Sequence, residues 1–309
     1  MDHFLALLPQ TLVNGLTLGS VYALIALGYS LVYGILKLLN FAHGDIYMIG
    51  AYIGYSVYLL FNADEATLLP VALVIVLMLI VAMVGAGVVS MGVERFAYRP
   101  LRYAPRLAPL ISALGVSFVL QNLVQITVTP RPLSFGSGTL IPTSAAINVA
   151  GVNIHASRLL IIGVTLVLMA GLAYLVRSTR LGRAMRAVSQ DIDAAQMMGV
   201  NVNGVIVATF FIGAALAGAA GVLVGIVFFS IRHTMGFLAG LKGFTAAVVG
   251  GIGSIPGAVL GGLLLGLAES FTAVYISVTF NDAIAFLLLV LVLLIRPSGI
   301  LGKALIQKV

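Results

Sequence analysis

The sequence predicts an all-α integral membrane protein, a polytopic bundle of eight or nine transmembrane helices with one short helix on its cytoplasmic side. Three observations carry this. Of 309 residues, 61% are hydrophobic and 8% charged, whereas soluble domains carry roughly 25% charged residues. So few charges do not cover the surface of a water-soluble fold of this size. The apolar residues run in stretches of about 20 or more, the length that crosses about 30 Å of hydrocarbon as helix. The alternation of barrel strands is missing, which leaves helices to satisfy the backbone in lipid.

The candidate spans, in order, are about 11–36, 41–61, 68–92, 107–128, 158–176, 203–230, 237–252, 256–276 and 280–295. The run 237–276 is nearly continuous, broken only by GGIGSIPG. No linker divides the chain, so residues 1–309 are read as a single transmembrane domain with a polar cytoplasmic segment at about 177–202. The connecting loops set orientation. Arg95, Arg99, Arg102 and Arg106 follow the third span, and Arg177, Arg180, Arg183 and Arg186 follow the fifth; both groups are placed in the cytoplasm. The acidic FNADEAT at 61–67 and the charge-poor stretch 129–157 are placed outside, and the basic end RPSGILGKALIQKV inside. With nine spans the N-terminus lies outside; with eight, one apolar run is re-entrant or interfacial.

The opening MDHFLALLPQ lacks the basic segment of a cleavable signal peptide. A formal charge of +7 fits basic residues retained at the cytoplasmic face better than nucleic-acid binding. The chain has no Cys, which excludes disulfides and thiol chemistry. The pairs Gly50/Gly54, Gly221/Gly225, Gly257/Gly261 and Gly262/Gly266 are spaced as GxxxG, the pattern that brings helix backbones close in lipid.

The polar interval RSTRLGRAMRAVSQDIDAAQMMGVN, 177–201, divides in two. In its first half Leu181, Ala184, Met185 and Val188 share one helical face, as in a helix lying along headgroups. In the second, Asp191 suits the N-cap, Asp193 the first turn and Gly199 the C′ position, enclosing a helix from Ile192 to Met198. So short a helix is unstable alone. Its Ile192, Ala195 and Met198 need a surface, either the bundle itself or a cytoplasmic partner.

Asp193-Ala194-Ala195-x-x-x-Gly199 resembles the E-A-A-x-x-x-G loop of ABC importer permeases, with Asp for Glu. The I-x-L-P that completes that motif is absent, and ATFFIG stands near its place. The block at 13–52, VNGLTLGSVYALIALGYSLVYGILKLLNFAHGDIYMIGAY, is similar to the opening of branched-chain amino-acid importer permeases of the LivH type. So are ERFAYRPLR, LISALGVSFVLQN, KGFTAAVVGGIGSIPGAVLGG and RPSGILG, in the family's order over nearly the whole chain. The resemblance implies a permease subunit of an ATP-driven importer in the bacterial inner membrane, carrying branched-chain or other neutral amino acids by alternating access. It implies a sister permease of the LivM type, two cytoplasmic ATPases and a periplasmic binding protein. It makes 191–199 a coupling helix, with Asp191, Ile192, Asp193, Ala194, Ala195, Met198 and Gly199 against the ATPase. A urea or amide importer permease and a stand-alone ion-coupled transporter are the alternatives.

No G-x-x-x-x-G-K-[ST], HExxH or nucleophile elbow occurs. The chain is therefore read as a transport subunit and not an enzyme, with no cofactor of its own and ATP and Mg on the partner ATPases. Ionisable residues inside apolar runs point to the path, since burying one costs about 2.5–3.5 kcal/mol on insertion scales. NFAHGD, Asn40 to Asp45, joins the first two spans with almost no hydrophilic loop. Asn40 is expected to cap a new helix whose first amides, around Gly44, face a carboxylate, with His43 and Asp45 ordering the polar end of an amino acid. An ordinary turn is the competing reading. Lys242 either lines the cavity or snorkels to a headgroup, and Glu269 reads as an interhelix contact.

Overall fold

The computed structural model describes residues 2–61, 70–102, 104–105, 107–136, 140–142, 145–149 and 152–302. Arg106, most of the 61–67 loop and the basic tail from Lys303 lie outside the described residues. The chain is mostly helical. Helix α1 is Asp2–Leu36, α2 His43–Leu60, α3 Val71–Val93, α4 Leu107–Thr127 and α5 Ala156–Ser178. The short α6 is Arg180–Gln190 and α7 Ile192–Met197; then come α8 Val202–Phe228, α9 Met235–Gly250, α10 Ile255–Tyr275 and α11 Asn281–Ile295. A π-turn at Glu94–Tyr98 carries α3 on to its basic end.

Seven described helical stretches are long and apolar enough to cross a membrane: α1, α3 with the turns that extend it to Leu101, α4, α5, α8, α10, and α11 together with the turn Val278–Phe280 that precedes it. Helices α2 and α9 would bring the count to nine, within the expected eight or nine; α9 is short, about 24 Å at 1.5 Å per residue against about 30 Å of hydrocarbon, and α2 opens on the buried polar residues His43 and Asp45. Both start after a non-helical segment, 37–42 and 229–234. Left-handed residues, Lys37 (φ 54°) and Phe229 (φ 55°), end the helices before them. Helix α2 runs beside α8, Gly50 against Gly218 and Gly54 against Val222, and its first residue, His43, lies against Gly28 well before the end of α1, so it begins inside the bundle.

The packing repeats itself. Helix α1 packs on α10 as α8 packs on α3, α1 on α9 as α8 on α2, and α2 on α3 as α9 on α10. The pairs α2–α4 and α9–α11 match as well, while α1–α8 and α2–α9 are partners of each other. Exchanging α1–α4 with α8–α11 therefore maps the core onto itself. Helix α10 is antiparallel to α1, with Gly15 against Leu267 and Gly19 against Leu263. This is the pattern of an inverted repeat, in which interrupted helices sit at the interface between the halves.

The larger core is built from α1, α2, α3, α8 and α9 around Leu24, Met48, Met78, Ala217 and Ala246, all almost fully buried. A second cluster, at the end of the bundle that carries α6 and α7, joins Val32, Tyr98, Met185, Ala195, Ile206 and Phe210. Outside, β1 (Leu133–Ser134) pairs antiparallel with β4 (Ser230–Ile231), and β2 (Ala146–Val149) with β3 (Val152–His155). Phe135 is fully buried beneath the first pair, against Tyr55 and Tyr58 of α2. The segment after α11 zips onto the end of α9, Ile300 N–H to the Val249 carbonyl and Leu301 N–H to that of Gly250.

Candidate functional site

Two places gather the polar residues: the junction where α2 begins, and the short helix α7. At the junction Asn40, His43 and Asp45 are at most 3% exposed. Asn40 does not cap α2. Ala42 holds the N-cap position without a side-chain bond, and the Asn40 carboxamide oxygen instead accepts from the Tyr98 hydroxyl at 2.6 Å. The phenol, brought in by the π-turn after α3, occupies the acceptor that a cap would need. The Asn40 backbone carbonyl accepts from the His43 N–H at 3.1 Å, which starts the helix. His43 lies edge-on to Tyr29 at 4.7 Å, with its Nε2 pressed against Gly28.

Asp45 is fully buried, and one of its oxygens accepts from Gln121 Nε2 of α4 at 3.0 Å. The same amide reaches the Ser117 hydroxyl at 3.2 Å. The other Asp45 oxygen has no hydrogen-bond partner. The carboxylate lies over the start of α9 because that start is bare backbone. A Cβ on Gly236 would lie 2.7 Å from Asp45 Oδ1 and 2.7 Å from the Gly44 carbonyl oxygen. A Cβ on Gly44 would lie 2.6 Å from Gly240 Cα. The two short helices thus meet at their N-terminal ends, where unsatisfied N–H groups and the helix dipoles favour an anion.

Lys242 sits apart from this junction. Its Nζ lies 3.0 Å from Glu269 of α10 and 2.8 Å from Asp282 at the start of α11. Tyr22 of α1 donates to the other Glu269 oxygen at 2.8 Å. The ammonium is satisfied inside the protein, so Lys242 ties α9 to its neighbours. Beside the second cluster Arg102 forms a close ion pair with buried Glu94 and donates to Asn203 at 2.6 Å, joining the end of α3 to the start of α8.

The second place is α7. Asp191 is extended (φ −156°), and its carboxylate accepts from Ala194 N–H at 2.9 Å. The far end closes as a Schellman turn: Val200 N–H bonds the Ala195 carbonyl, Gly199 N–H bonds that of Gln196, and Gly199 has φ 82°. Ala195 is buried in the second cluster, while Ile192 is 41%, Met197 82% and Met198 84% exposed. Preceding it, Thr179 caps α6 through Gly182 N–H, and Met185 and Val188 are buried. Sequence reasoning passed over Gln121, Ser117, Tyr98 and Tyr22. Gln121 carried the clearest signal, a carboxamide within an otherwise apolar run.

Seven apolar stretches long enough to span, packed as an inverted repeat around two helices that begin inside the bundle, are those of a multi-pass membrane protein. Residues 11–293 match the family described as branched-chain amino acid transport system / permease component. The chain belongs to that family, and it is a transport permease, not an enzyme. It is 46% identical to the high-affinity branched-chain amino acid transport system permease protein BraD of Pseudomonas aeruginosa, over 97% of each chain. To the LivH permease protein of Escherichia coli K12 it is 44% identical, over 100% of this chain and 99% of that one. A probable LivH permease protein of Methanocaldococcus jannaschii is 27% identical over 92% and 89%.

Proposed function

We propose that this chain forms the translocation path of an ATP-driven importer for branched-chain or other neutral amino acids in a bacterial inner membrane. It works with a sister permease, two cytoplasmic ATPases that hold ATP and Mg, and a periplasmic binding protein. The family membership and the names of the relatives support the solute class. The observation that carries the mechanism is α7: capped at both ends, seated through Ala195, with Met197 and Met198 facing outward. Methionines of this kind fit a partner's groove.

In this reading, closure of the ATPases pushes α7 against the second cluster. Ala195 bears on a core shared with Val188, Ile206 and Phe210. The ring of Tyr98 lies 5.5 Å from Phe210, and its hydroxyl holds Asn40. The stroke therefore reaches the segment that starts α2, and Asn40, His43, Gly44 and Asp45 move with the path. The glycine crossing of α2 with α9 lets this happen without side-chain clash. Lys242 anchors α9 from the other side during the movement.

The test is reconstitution of the complete complex in liposomes with binding protein outside and ATP inside, scored by uptake of labelled L-leucine, L-glutamine and urea. Uptake of leucine that requires ATP is the expected result. Accumulation by this chain alone on an ion gradient overturns the reading. Removing residues 189–200 is expected to abolish capture of the ATPases, and their retention overturns the role of α7.

A further inference from the structure

The end of the bundle that carries α6 and α7 holds a groove of about 590 Å³. Met91 near the end of α3 and Leu181 near the start of α6 wall it, and the first turns of α8 give it its length. Asn201 and Asn203 lie at one end, Phe211 and Ile212 at the other. From Asn201 to Ile212 is about 16 Å at 1.5 Å per residue. The groove therefore follows a membrane span from its polar start well into the hydrocarbon.

Its α3 wall is the end of a lipid-facing stripe. Val84, Val88 and Met91, four and three residues apart, share one helical face and are exposed. Arg95, one turn further on, continues that face and is exposed as well. On α6, Leu181 stands beside exposed Arg180 and Arg183, on a helix seated through Met185 and Val188. Among the described residues, Arg95, Arg99, Arg180 and Arg183 are all exposed and none is paired with a carboxylate. Arg102 donates to Asn203 at the polar end but is already neutralised by Glu94.

We propose that this groove binds an anionic phospholipid, one acyl chain lying along α8 between Met91 and Phe211 and the phosphate held among Arg95, Arg99, Arg180 and Arg183. A soluble partner meets the headgroup level and does not reach Phe211 and Ile212. A membrane helix about 10 Å across, laid along 16 Å, needs about twice the volume of the groove. Neutral lipid fills it but leaves four cations without a counter-charge. An anionic phospholipid joins a slender apolar chain to an anion at the headgroup level, where basic residues attract it and guanidinium forks suit phosphate oxygens. The proposal holds whichever solute is carried.

The chain has no Trp, so an introduced indole reports its own surroundings once the signal of the unsubstituted protein is subtracted. Phe211→Trp and Met91→Trp place it in the groove, and Val290→Trp on the exposed face of α11 is the control. Each is measured in the permease with the subunits that purify with it, in phosphatidylcholine nanodiscs. The quencher is bromine on the acyl chains of added phosphatidylglycerol or, separately, of phosphatidylcholine. We expect the groove indoles to be half-quenched at a mole fraction of brominated phosphatidylglycerol at least fivefold lower than that of brominated phosphatidylcholine. Val290→Trp is expected to show no preference. Arg95→Gln, Arg99→Gln, Arg180→Gln and Arg183→Gln together are expected to bring the two lipids within twofold in the groove. Equal quenching by both lipids in the groove shows ordinary surrounding lipid and overturns the proposal. A preference that survives the four substitutions overturns the headgroup site. Quenching of Val290→Trp but of neither groove indole shows that protein covers the groove and overturns the proposal too. Should Phe211→Trp fail to fold, Met91→Trp, at a more exposed position, decides.

Discussion

Glu269, Asn40 and Glu94 are each buried in this bundle against a particular neighbour, and such matches rank the effects of removing them. Glu269 is 2% exposed and takes both Lys242 and Tyr22, whereas the Asp282 side chain is 53% exposed. Glu269→Gln is expected to cost about 3–5 kcal/mol, the loss typical of breaking a buried pair. Asp282→Asn is expected to cost about 0–1 kcal/mol, as at an exposed pair. Thermal unfolding of the detergent-solubilised protein measures both, and equal effects would show that the second carboxylate shares the burden. At the junction, Tyr98→Phe removes one hydrogen bond and leaves the ring packing intact. It is expected to leave assembly unchanged while lowering leucine uptake per ATP hydrolysed; an unaltered ratio excludes the Tyr98–Asn40 bond from coupling. At this scale the sequence was informative about which residues mattered and poor about their partners. Asn40, His43 and Asp45 stood out because ionisable and amide groups are rare in an apolar run. The failure of Asn40 as a cap was not legible, because the competing donor, Tyr98, is 58 residues away.

Helices show the same division between local and distant causes. The two ends of α7 were legible from Asp191 and Gly199, since an N-cap bond and a left-handed C′ glycine are set by neighbours within six residues. If α7 docks the ATPase as proposed, Met197→Asp with Met198→Asp removes apolar area from its outward surface without touching buried Ala195. ATPase capture by the solubilised permease pair is expected to fall at least tenfold with the melting temperature unchanged, and full capture would place the contact elsewhere. The lengths of α2 and α9 were less legible. Hydropathy alone reads 237–276 as nearly continuous, and only the bare approach of Gly44 to Gly236 and Gly240 explains why these helices stop inside the bundle.

For the molecule as a whole, the inverted repeat was invisible in the sequence because the two halves conserve packing rather than residues. Gly28 meets Gly213 where α1 crosses α8, and Gly44 meets Gly236 where α2 crosses α9. These two crossings lie between the halves, so any motion of one half against the other passes through them. Gly44→Ala places a methyl group against the backbone of Gly236 and Gly240, neither of which can rotate away. Overpacking of this kind costs about 1–3 kcal/mol. Gly163→Ala on α5 is the control, since nothing lies within 4 Å of its added Cβ. We expect Gly163→Ala to match the wild type in melting temperature and uptake. We expect Gly44→Ala to melt earlier and, in complexes that still assemble with the ATPases, to lose leucine uptake while ATP hydrolysis continues. Uptake retained at the wild-type rate would mean that the halves do not shift at this crossing.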